Sequence, residues 1–389
     1  MNTFRRALVG EFRRILRDPG AALILVGAPL IYALFYPIPY RAQVLKHVPI
    51  AVVDQDQSDL SRKLTRMVDA HELTRVAEAD DSLADAEHAV RAGRAGGVLV
   101  IPAQFERRVR RGDQAQVVAY ADASYFLIYR QVLTGVLEAT GTLSAGIEIR
   151  RLQAAGMPIE GAMKARNPLP LVMRPLFNPT EGYAGYVVPA VLVLILQQTL
   201  LVGIGVVAGT ERERRAAAGR LGVGQAAPAV LGRAAAYLSL YLVHALVYVG
   251  IVFRLLGFPQ QASAWTIFLF AVPFLLSVVF LGLAVRALFR TREMALQVLL
   301  FTSLPALFLA GFAWPIEAIP RSLVVFARAL PSTVGISGFL RLTQMGASLP
   351  DVREEWLLLW SLCGVYFLFA WVAEWRTDRS RGTRARAGG

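Results

Sequence analysis

The sequence predicts an α-helical polytopic membrane protein with six transmembrane helices and an inserted α/β extracytoplasmic domain. Hydrophobic residues make up 55% of the 389 positions and charged residues only 18%, and the mean hydropathy is +0.48, a balance that is not typical of a soluble domain of this size. The apolar residues gather in runs of about 18 to 25 residues, the length that a helix needs to cross about 30 Å of hydrocarbon. One long polar block, residues 40–180, separates the first apolar run from the other five.

The first transmembrane helix is predicted at residues 21–39, with its apolar run from Ala21 to Pro37. Residues 181–375 hold the other five, whose runs are Tyr183 to Gly209, Ala234 to Leu256, Ala264 to Phe289, Met294 to Trp314 and Trp356 to Trp375. Four of the runs contain a proline: Pro29, Pro189, Pro273 and Pro305. We therefore expect kinked helices in which neighbouring groups bond the carbonyls that the prolines free.

The positions of the arginines predict the orientation of the spans, because cytoplasmic loops retain positive charge. Arginines cluster before the first span, after the second, after the fourth and in the basic tail, residues 376–389. All four clusters fall on one side of the membrane only if there are six spans and both termini are cytoplasmic. The net charge of +13 is therefore interpreted as a topology signal, and its dispersal beside the spans argues against a nucleic-acid partner. No small-x-small site follows the first run, which favours an uncleaved anchor over a signal peptide.

The polar block alternates predicted strands and helices, which indicates a small α/β domain. Val48 to Val53 is predicted to be a strand that enters an acidic turn, and Ser58 or Asp59 is predicted to cap the helix that reaches Ala70. The remaining predicted elements are a strand from Leu73 to Ala77, a helix from Asp81 to Ala92, a strand from Gly96 to Ile101, a helix from Phe105 to Arg111, a strand from Gln116 to Tyr120, a helix from Ser124 to Ala155 and an extended return from Leu169 to Phe177.

Motifs for chemistry are absent from the sequence. It contains no G-x-x-x-x-G-K-[ST] phosphate loop and no Gly-x-Ser-x-Gly elbow, and the four histidines show no spacing typical of metal ligands. Asp54, Asp56 and Asp59 are similar to a calcium loop only in part, because Asp59 stands where that loop has glycine. A turn that caps a helix is the favoured interpretation. We expect no catalytic residue and no metal site.

Polar side chains inside the apolar runs are costly in hydrocarbon and tend to face the interior of a helix bundle. Two interpretations stay open for each of them: lining of a translocation path, or a hydrogen bond that fastens two helices, which is the favoured one. Trp356, Trp371 and Trp375 are predicted to lie in interfacial belts. The possible path residues are Gln197, Gln198, His244 and Gln297.

Two segments outside the spans also have a helical pattern. Residues 1–20 place apolar side chains on one face and arginines on the other, which predicts an amphipathic helix lying in the cytoplasmic interface. Residues 315–353 are divided by prolines into two short amphipathic pieces, predicted to be re-entrant or surface-lying helices on the extracytoplasmic side of the bundle.

With these elements in place, the chain resembles the ABC-2 type permeases, the membrane subunits of bacterial exporters, in the subgroup with a large extracytoplasmic domain between the first two spans. The resemblance covers nearly the whole length. It is carried by Glu11 with Arg17-Asp18-Pro19, by Phe177-Asn178-Pro179 with Tyr186 and Pro189, by Glu211-Arg212-Glu213-Arg214, by Leu330-Pro331-Ser332-Thr333, and by Gly346-Ala347-Ser348-Leu349 with Val352.

The resemblance implies a non-catalytic half-transporter of the bacterial inner (cytoplasmic) membrane that exports an amphipathic substrate, drug-like or lipid-like. Its implied partners are membrane lipid, a second copy of itself or a paralogous permease, and a cytoplasmic ABC ATPase dimer, and a periplasmic adaptor is a further candidate. ATP and magnesium would bind to the ATPase, and no cofactor to this chain. The inserted domain would gate transport or dock a periplasmic partner.

In the family, the N-terminal helix and a short helix after the second span receive the motion of the ATPase. By position these are Phe4 to Arg17, and Glu211 to Gly222 within the loop 210–233. Arg215-Ala216-Ala217-Ala218 stands where the family commonly has a Gly-Thr pair. The residues expected to couple to the ATPase are Glu11, Arg13, Arg17, Asp18, Glu211, Arg212, Glu213, Arg214, Arg215, Arg290 and Arg292.

Two other classes stay open at this point. One is a secondary transporter driven by an ion gradient, which inverted repeats among the spans would favour. The other is a membrane-anchored sensor or assembly factor, in which the α/β domain binds a ligand and nothing is transported.

Overall fold

The computed structural model describes residues 3–40, 42–179, 181–213 and 223–387. The chain divides into two compact units, one made of Met1–Gln43 and Pro175–Gly389 and the other of Val44–Arg174. Among the described residues, six helical stretches are long and apolar enough to cross a membrane, as predicted. They are named spans 1 to 6: Pro19–Tyr40, Tyr183–Glu213, Gln225–Leu256, Ala264–Val285, Arg292–Leu309 and Leu349–Arg376.

Charged and small residues extend three of these helices beyond the predicted bounds. Span 2 continues through Thr210 to Glu213, and the helix of span 3 begins at Val223, so the predicted loop 210–233 is shorter in the structure at both ends. The helix of span 6 runs from Arg353 to Ala387 and takes up most of the predicted tail. Glu, Arg and Ala are strong helix formers, so the polar ends of the spans have no reason to unwind. Span 5 is shorter than predicted and ends at Leu309 instead of Trp314.

The helix before span 1 is α1, Thr3–Arg17, as the amphipathic pattern predicts. Its arginines lie mainly on the exposed side, while Glu11 and Ile15 are buried. Asp18 ends α1 and caps the next helix, because its carboxylate accepts from the backbone N–H groups of Gly20 and Ala21 at 3.0 and 3.2 Å. One residue therefore turns the chain from the interfacial helix into span 1.

The second unit is built on a four-stranded mixed sheet in the order β2-β1-β3-β4, formed by β1 Val48–Asp54, β2 Thr74–Ala79, β3 Gly97–Ile101 and β4 Val118–Ala121. Strand β1 pairs in parallel with β2 and β3, and β4 pairs antiparallel with β3. Its helices are α2 Asp59–Asp69, α3 Leu83–Arg91, α4 Phe105–Arg111, α5 Phe126–Ala154 and α6 Ile159–Arg166.

Alternation along β1 places its side chains on two faces of the sheet, and each face has its own core. Ile50 and Val52 pack with residues of α2 and α5, among them Leu64 and Val136. Ala51 and Val53 pack on the other face with alanines of α3. The unit is thus a three-layer α/β arrangement in which the small side chains face α3.

The acidic turn after β1 is a capping device, as favoured from the sequence. Asp54 accepts from Ser61 Oγ at 2.6 Å, and Ser58 forms a capping box with Ser61 at the start of α2. Asp56 accepts from the backbone N–H of Glu106 at 3.0 Å, which caps α4. Partial burial opposes the charge on Asp56, but hydrogen bonds from Ser58 and from the start of α4 outweigh it and lower the pKa of this carboxyl.

Two helices between spans 5 and 6 meet at a sharp bend. Helix α7, Arg321–Arg328, and helix α8, Pro331–Thr343, are inclined by 84°. Helix α8 is mostly buried, so it does not lie on the surface, and the re-entrant alternative describes it better. Its two glycines explain the burial: a Cβ at Gly335 would lie 2.4 Å from the ring of Phe274, and the same substitution at Gly338 would meet the ring of Phe270 at 2.3 Å.

Prolines inside the spans each remove a backbone donor and leave the carbonyl four residues earlier without its helical partner. In span 1, Pro29 frees the carbonyl of Leu25, which contacts His244 Nε2 of span 3 at 2.9 Å. The hydroxyl of Tyr248, one turn further along span 3, donates to the carbonyl of Pro29 itself at 2.7 Å. Span 3 therefore supplies the polar partners that the kinked part of span 1 needs.

The same arrangement recurs at two other kinks. Pro189 frees the carbonyl of Gly185, which accepts from Gln344 Nε2 at the end of α8 at 2.6 Å. Pro273 frees the carbonyl of Leu269, and Trp356 Nε1 of span 6 donates to it at 3.0 Å. In hydrocarbon no water is available for this role, and each of the three carbonyls consequently has its partner on another helix.

We predict that Gln344→Met destabilises the purified protein by about 1 to 3 kcal/mol, because the Gly185 carbonyl loses its donor while the side-chain volume is kept. In a Pro189→Ala background the cost should fall, since residue 189 then supplies a backbone N–H to the same carbonyl. Thermal unfolding in detergent measures both. Gln153→Met, at an exposed position of α5, is the matched control and should be neutral. Equal costs in the two backgrounds would show that the carbonyl does not depend on Gln344.

Candidate functional site

Helix α1 packs directly against the start of span 3. A Cβ added at Gly232 would lie 2.4 Å from the carbonyl oxygen of Phe4 and 2.9 Å from the Cβ of Ala7. The two helices can approach this closely only because residue 232 has no side chain. Movement of α1 therefore has to displace span 3 or break this contact.

Glu11 is the buried acid at the centre of the contact, with 1% of its surface exposed. Its carboxylate accepts from the hydroxyl of Tyr237 in span 3 at 2.7 Å and from Arg14 Nη1 at 2.7 Å. A carboxylate removed from water to this extent is tolerated only when it is paired and hydrogen-bonded. Glu11 is thus held between its own helix and span 3.

Arg233, at the start of span 3, connects the same acid to span 6. Its Nε lies 3.7 Å from Glu11 Oε2, and its Nη1 lies 2.7 Å from Glu374 Oε2. Only 8% of the Arg233 side chain and 16% of the Glu374 side chain are exposed. The guanidinium therefore joins two carboxylates, those of Glu11 and Glu374, that lie 363 positions apart in the sequence.

Glu211, near the end of span 2, brings two more elements into the cluster. Its carboxylate lies 3.0 Å from Arg286 Nη2 after span 4 and 3.6 Å from Arg14 Nη2 of α1. Together these residues join α1 to the ends of spans 2, 3, 4 and 6. We call the set the ion-pair network, and its members are Glu11, Arg14, Glu211, Arg233, Arg286 and Glu374.

Asp18 and Glu213 extend the polar contacts to the start of span 5. Arg292 donates its backbone N–H to Glu213 Oε1 at 2.8 Å, and its guanidinium lies 4.0 Å from Asp18 Oδ1. Burial opposes the charge on Asp18, but hydrogen bonds from the backbone N–H groups of Ala21 and Gly20 and the charge of Arg292 lower the pKa of its carboxyl. Asp18 therefore stays ionised and binds three segments together.

A groove of about 350 Å³ opens between α1 and the end of span 2. Arg13 and Arg17 line it and are exposed, beside Asp18 and Glu211 on its floor. The two guanidiniums present positive charge on a surface that is otherwise fixed by internal ion pairs. This is the arrangement expected of a surface that receives an acidic partner.

The residues expected to couple to an ATPase fall into three groups. Glu11, Asp18, Glu211, Arg212, Glu213 and Arg292 are brought together, Arg212 through a bond from its Nη1 to the Phe289 carbonyl at 2.6 Å. Arg13, Arg17 and Arg290 are exposed. Arg214 and Arg215, with the rest of the segment to Gly222, lie outside the described residues.

Five residues of this site were not predicted: Arg14, Arg233, Tyr237, Arg286 and Glu374. Glu374 carried the signal that could have found it, because an acid inside an apolar run demands a partner. Arg233 stands one position before a predicted span and was counted only as topological charge. Which acid pairs with which base cannot be derived from spacing, since the pairs join different helices.

The four possible path residues lie on three spans and have different surroundings. Gln197 is buried and donates from Nε2 to Ser332 Oγ of α8 at 2.9 Å, and His244 contacts span 1 as described above. Gln297 is exposed. Gln197 and His244 each use one polar atom in these bonds, and the other polar atom, Gln197 Oε1 or His244 Nδ1, is buried without a partner among the described residues. The Oε1 atom of Gln198 is also buried without a partner in the part of the chain that the structure describes.

Neither the fold nor the site contains a recognisable metal centre within the described part of the chain. No group of three or more His, Cys, Asp or Glu residues is placed there to hold a metal ion.

Comparison with known proteins bears on the whole chain. The profile of the family described as "ABC-2 family transporter protein" matches residues 21–372. The linearmycin resistance permease protein LnrN of Bacillus subtilis is 24% identical over 381 residues, covering 92% of this chain and 94% of that protein. The probable multidrug ABC transporter permease YbhS of Escherichia coli K12 is 22% identical over 339 residues, 86% of either chain. The probable permease YbhR of the same strain is 24% identical over 320 residues, 80% of this chain and 81% of its own.

We predict that Arg233→Met destabilises the protein by about 3 to 5 kcal/mol, because Glu11 and Glu374 lose the cation between them in a buried site. Adding Glu374→Gln should recover part of the loss by removing one of the stranded charges. Thermal or denaturant unfolding in detergent measures the three stabilities. Arg91→Gln, which breaks the exposed Arg91–Glu87 pair of α3, is the control and should cost no more than about 0.5 kcal/mol. Additive losses in the double variant would contradict the pairing.

Proposed function

The chain belongs to the ABC-2 family of transporter proteins, and from this membership we propose that it is the membrane subunit of an ATP-driven exporter whose ATPase is a separate chain. The observation that carries the proposal is the ion-pair network. It gathers α1 and the ends of spans 2, 3, 4 and 6 at one end of the bundle, beside a groove that displays two arginines. A surface of this kind suits a soluble motor that pushes on several spans at once.

The proposed orientation places this end in the cytoplasm. Glu11 precedes span 1, Glu211 ends span 2, Arg233 begins span 3, Arg286 follows span 4 and Glu374 ends span 6. Six crossings bring these positions to the same side, and the arginine distribution makes that side cytoplasmic. Both termini are then cytoplasmic, and residues 40–180 form an extracytoplasmic domain that gates transport or docks an adaptor.

Coupling then proceeds through α1. Binding of ATP in the partner draws its two copies together, and the partner presses on α1 through Arg13 and Arg17 and on the segment after Glu211. Gly232 lets α1 contact span 3 directly, and Arg233 pairs with both Glu11 and Glu374. A displacement of α1 is therefore transmitted directly to spans 3 and 6. ATP thus biases a two-state bundle toward one of its forms, and the bias cannot exceed the difference in affinity between them.

The apolar interior supports the proposed substrate class. Leu196, Phe253, Phe270 and Phe274 face one another between spans 2, 3, 4 and α8, and the names of the relatives refer to a linearmycin and to multiple drugs. An amphipathic molecule, drug-like or lipid-like, fits such surroundings. We propose that the spare polar atoms of Gln197, Gln198 and His244 meet its polar groups, with Gln297 of span 5 contributing from the exposed side.

Two copies, or this chain and a paralogous permease, complete the proposed transporter with an ATPase dimer. Span 5 is the best surface for contact with the second permease. Only 17% of its most apolar stretch is buried within the chain, against 89% for span 2. A helix this exposed packs either on lipid or on another protein. The dimer would enclose the path that one chain leaves open.

We predict that Arg13→Glu combined with Arg17→Glu abolishes ATP-dependent export and the stimulation of the partner ATPase by the permease. Both side chains are exposed, so the thermal stability of the permease should change by less than about 0.5 kcal/mol. Export is measured in proteoliposomes that contain the permease and its ATPase, and ATP hydrolysis is measured in parallel.

The matched control is Arg107→Glu, a charge reversal at an exposed arginine of α4 in the second unit, and it should leave both activities intact. Unchanged ATP hydrolysis and export in the Arg13 and Arg17 variant would refute the docking surface. Export that needs an ion gradient and not ATP would identify a secondary transporter, and binding without export would identify a sensor.

A further inference from the structure

The chain leaves an unusual apolar surface on residues 159–177, which we call the apolar-basic segment. It begins with α6 and continues, from residue 168 to residue 177, without a helix or strand in a stretch that the structure describes completely. Leu169, Leu171, Val172, Met173 and Leu176 are between 72% and 87% exposed. So many neighbouring apolar side chains are not left in water by a stable protein without a partner.

Helix α6 presents the same surface in helical form. Ile159 and Met163 stand four residues apart on one side of the helix and are 55% and 56% exposed, whereas Ala162, beside them on the helix surface, is completely buried. The exposed pair cannot be core residues of the second unit. Their face adds to the apolar surface of the residues that follow.

The charge of the segment is mainly positive. Lys164, Arg166 and Arg174 lie within it against one acid, Glu160, and no aspartate or glutamate occurs from residue 161 to residue 180. Lys164 and Arg166 are exposed. Apolar side chains flanked by cations are typical of protein segments that enter the surface of an anionic bilayer.

Its backbone argues against a protein strand as the partner. Pro168, Pro170 and Pro175 have no N–H group, so the segment offers an interrupted row of donors to a neighbouring strand. A hydrated headgroup layer imposes no such register. Lipid therefore fits the segment better than strand addition does.

Chain length keeps the segment near the membrane. Met173 is ten residues before Tyr183, where span 2 begins, and ten residues reach at most about 35 Å. The rings of Tyr36, Tyr40, Tyr183 and Tyr186 follow one another at 5.4, 5.5 and 6.3 Å, an aromatic cluster of the kind found at the bilayer surface. The C-terminal end of the segment is therefore within reach of the headgroups.

We infer that residues 159–177 form an interfacial anchor that lies in the headgroup layer and binds anionic phospholipid. The side chains from Leu169 to Leu176, with Ile159 and Met163, insert among the upper acyl carbons. Lys164, Arg166 and Arg174 contact the phosphates. The anchor requires a bilayer but not transport, so it stands or falls separately from the function proposed above.

The test uses the full-length chain in nanodiscs of phosphatidylethanolamine and phosphatidylglycerol. A bimane fluorophore is attached at Leu171→Cys or Met173→Cys, and the wild-type chain is the labelling control, because its one cysteine, Cys363, is buried. Brominated lipids should quench the fluorescence of both labels. The matched control is Leu137→Cys on α5, a leucine that is 72% exposed and lies outside the segment, and its label should not be quenched.

Replacing Lys164, Arg166 and Arg174 by Gln should lower the ratio of lipid-bound to free segment about fivefold for each cation removed in the phosphatidylglycerol nanodiscs, at about 1 kcal/mol per cation. In phosphatidylcholine nanodiscs the same variant should behave like the unsubstituted chain. Labels at 171 and 173 that bromolipids never quench would overturn the anchor. Bimane labels that are shielded equally in detergent, together with crosslinking to a second copy by a benzophenone maleimide at the same cysteines, would overturn it in favour of a protein partner.

Discussion

The structure depends on one constraint: a polar group inside the hydrocarbon must find its partner on another part of the same bundle. The backbone of a straight helix meets this condition by itself, but prolines in spans 1, 2 and 4 break it at the carbonyls of Leu25, Gly185 and Leu269. In each case a side chain from a distant element hydrogen-bonds to the carbonyl, and the bond fixes a contact between two helices. The prolines consequently mark points at which the helices of the bundle are bonded to one another.

The same constraint acts more strongly on charge at the end of the bundle where α1 lies. A buried ion pair gives little net stability, because desolvation offsets much of the attraction, whereas removing one partner is strongly destabilising. The ion-pair network therefore contributes less to the total stability than to the choice of one arrangement. Arg233 lies between Glu11 and Glu374 and pairs with both. These pairs hold α1 in register with spans 3 and 6. Precise register, more than strength, is what a transmitter of small displacements requires.

Hydropathy and side-chain periodicity predicted the elements, because both are local. The six spans, α1 and the order of strands and helices in the second unit agree with the sequence patterns, and α4 begins and ends at the predicted residues. The contacts between elements were not predictable in the same way. Trp356 was interpreted as an interfacial residue because its type is common there, but its indole N–H serves the carbonyl freed by Pro273. Helix α8 has an amphipathic composition, and its burial depends on two glycines whose importance is visible only beside Phe270 and Phe274.

The coupling residues and the path residues show how far sequence reasoning about a site extends. Family resemblance pointed to Glu11, Asp18 and Glu211, which lie at the junction of several helices, and their role in coupling stays a prediction. It omitted their partners, which carry no motif. For Gln197 and His244 the two interpretations left open by the sequence are compatible in the structure. One polar atom of each side chain fastens a helix, and the other is buried without a partner. An atom of this kind raises the energy of the resting bundle. In the proposed transporter, a polar group of the substrate would lower that energy again. A residue that both fastens and receives would make opening of the path depend on what enters it.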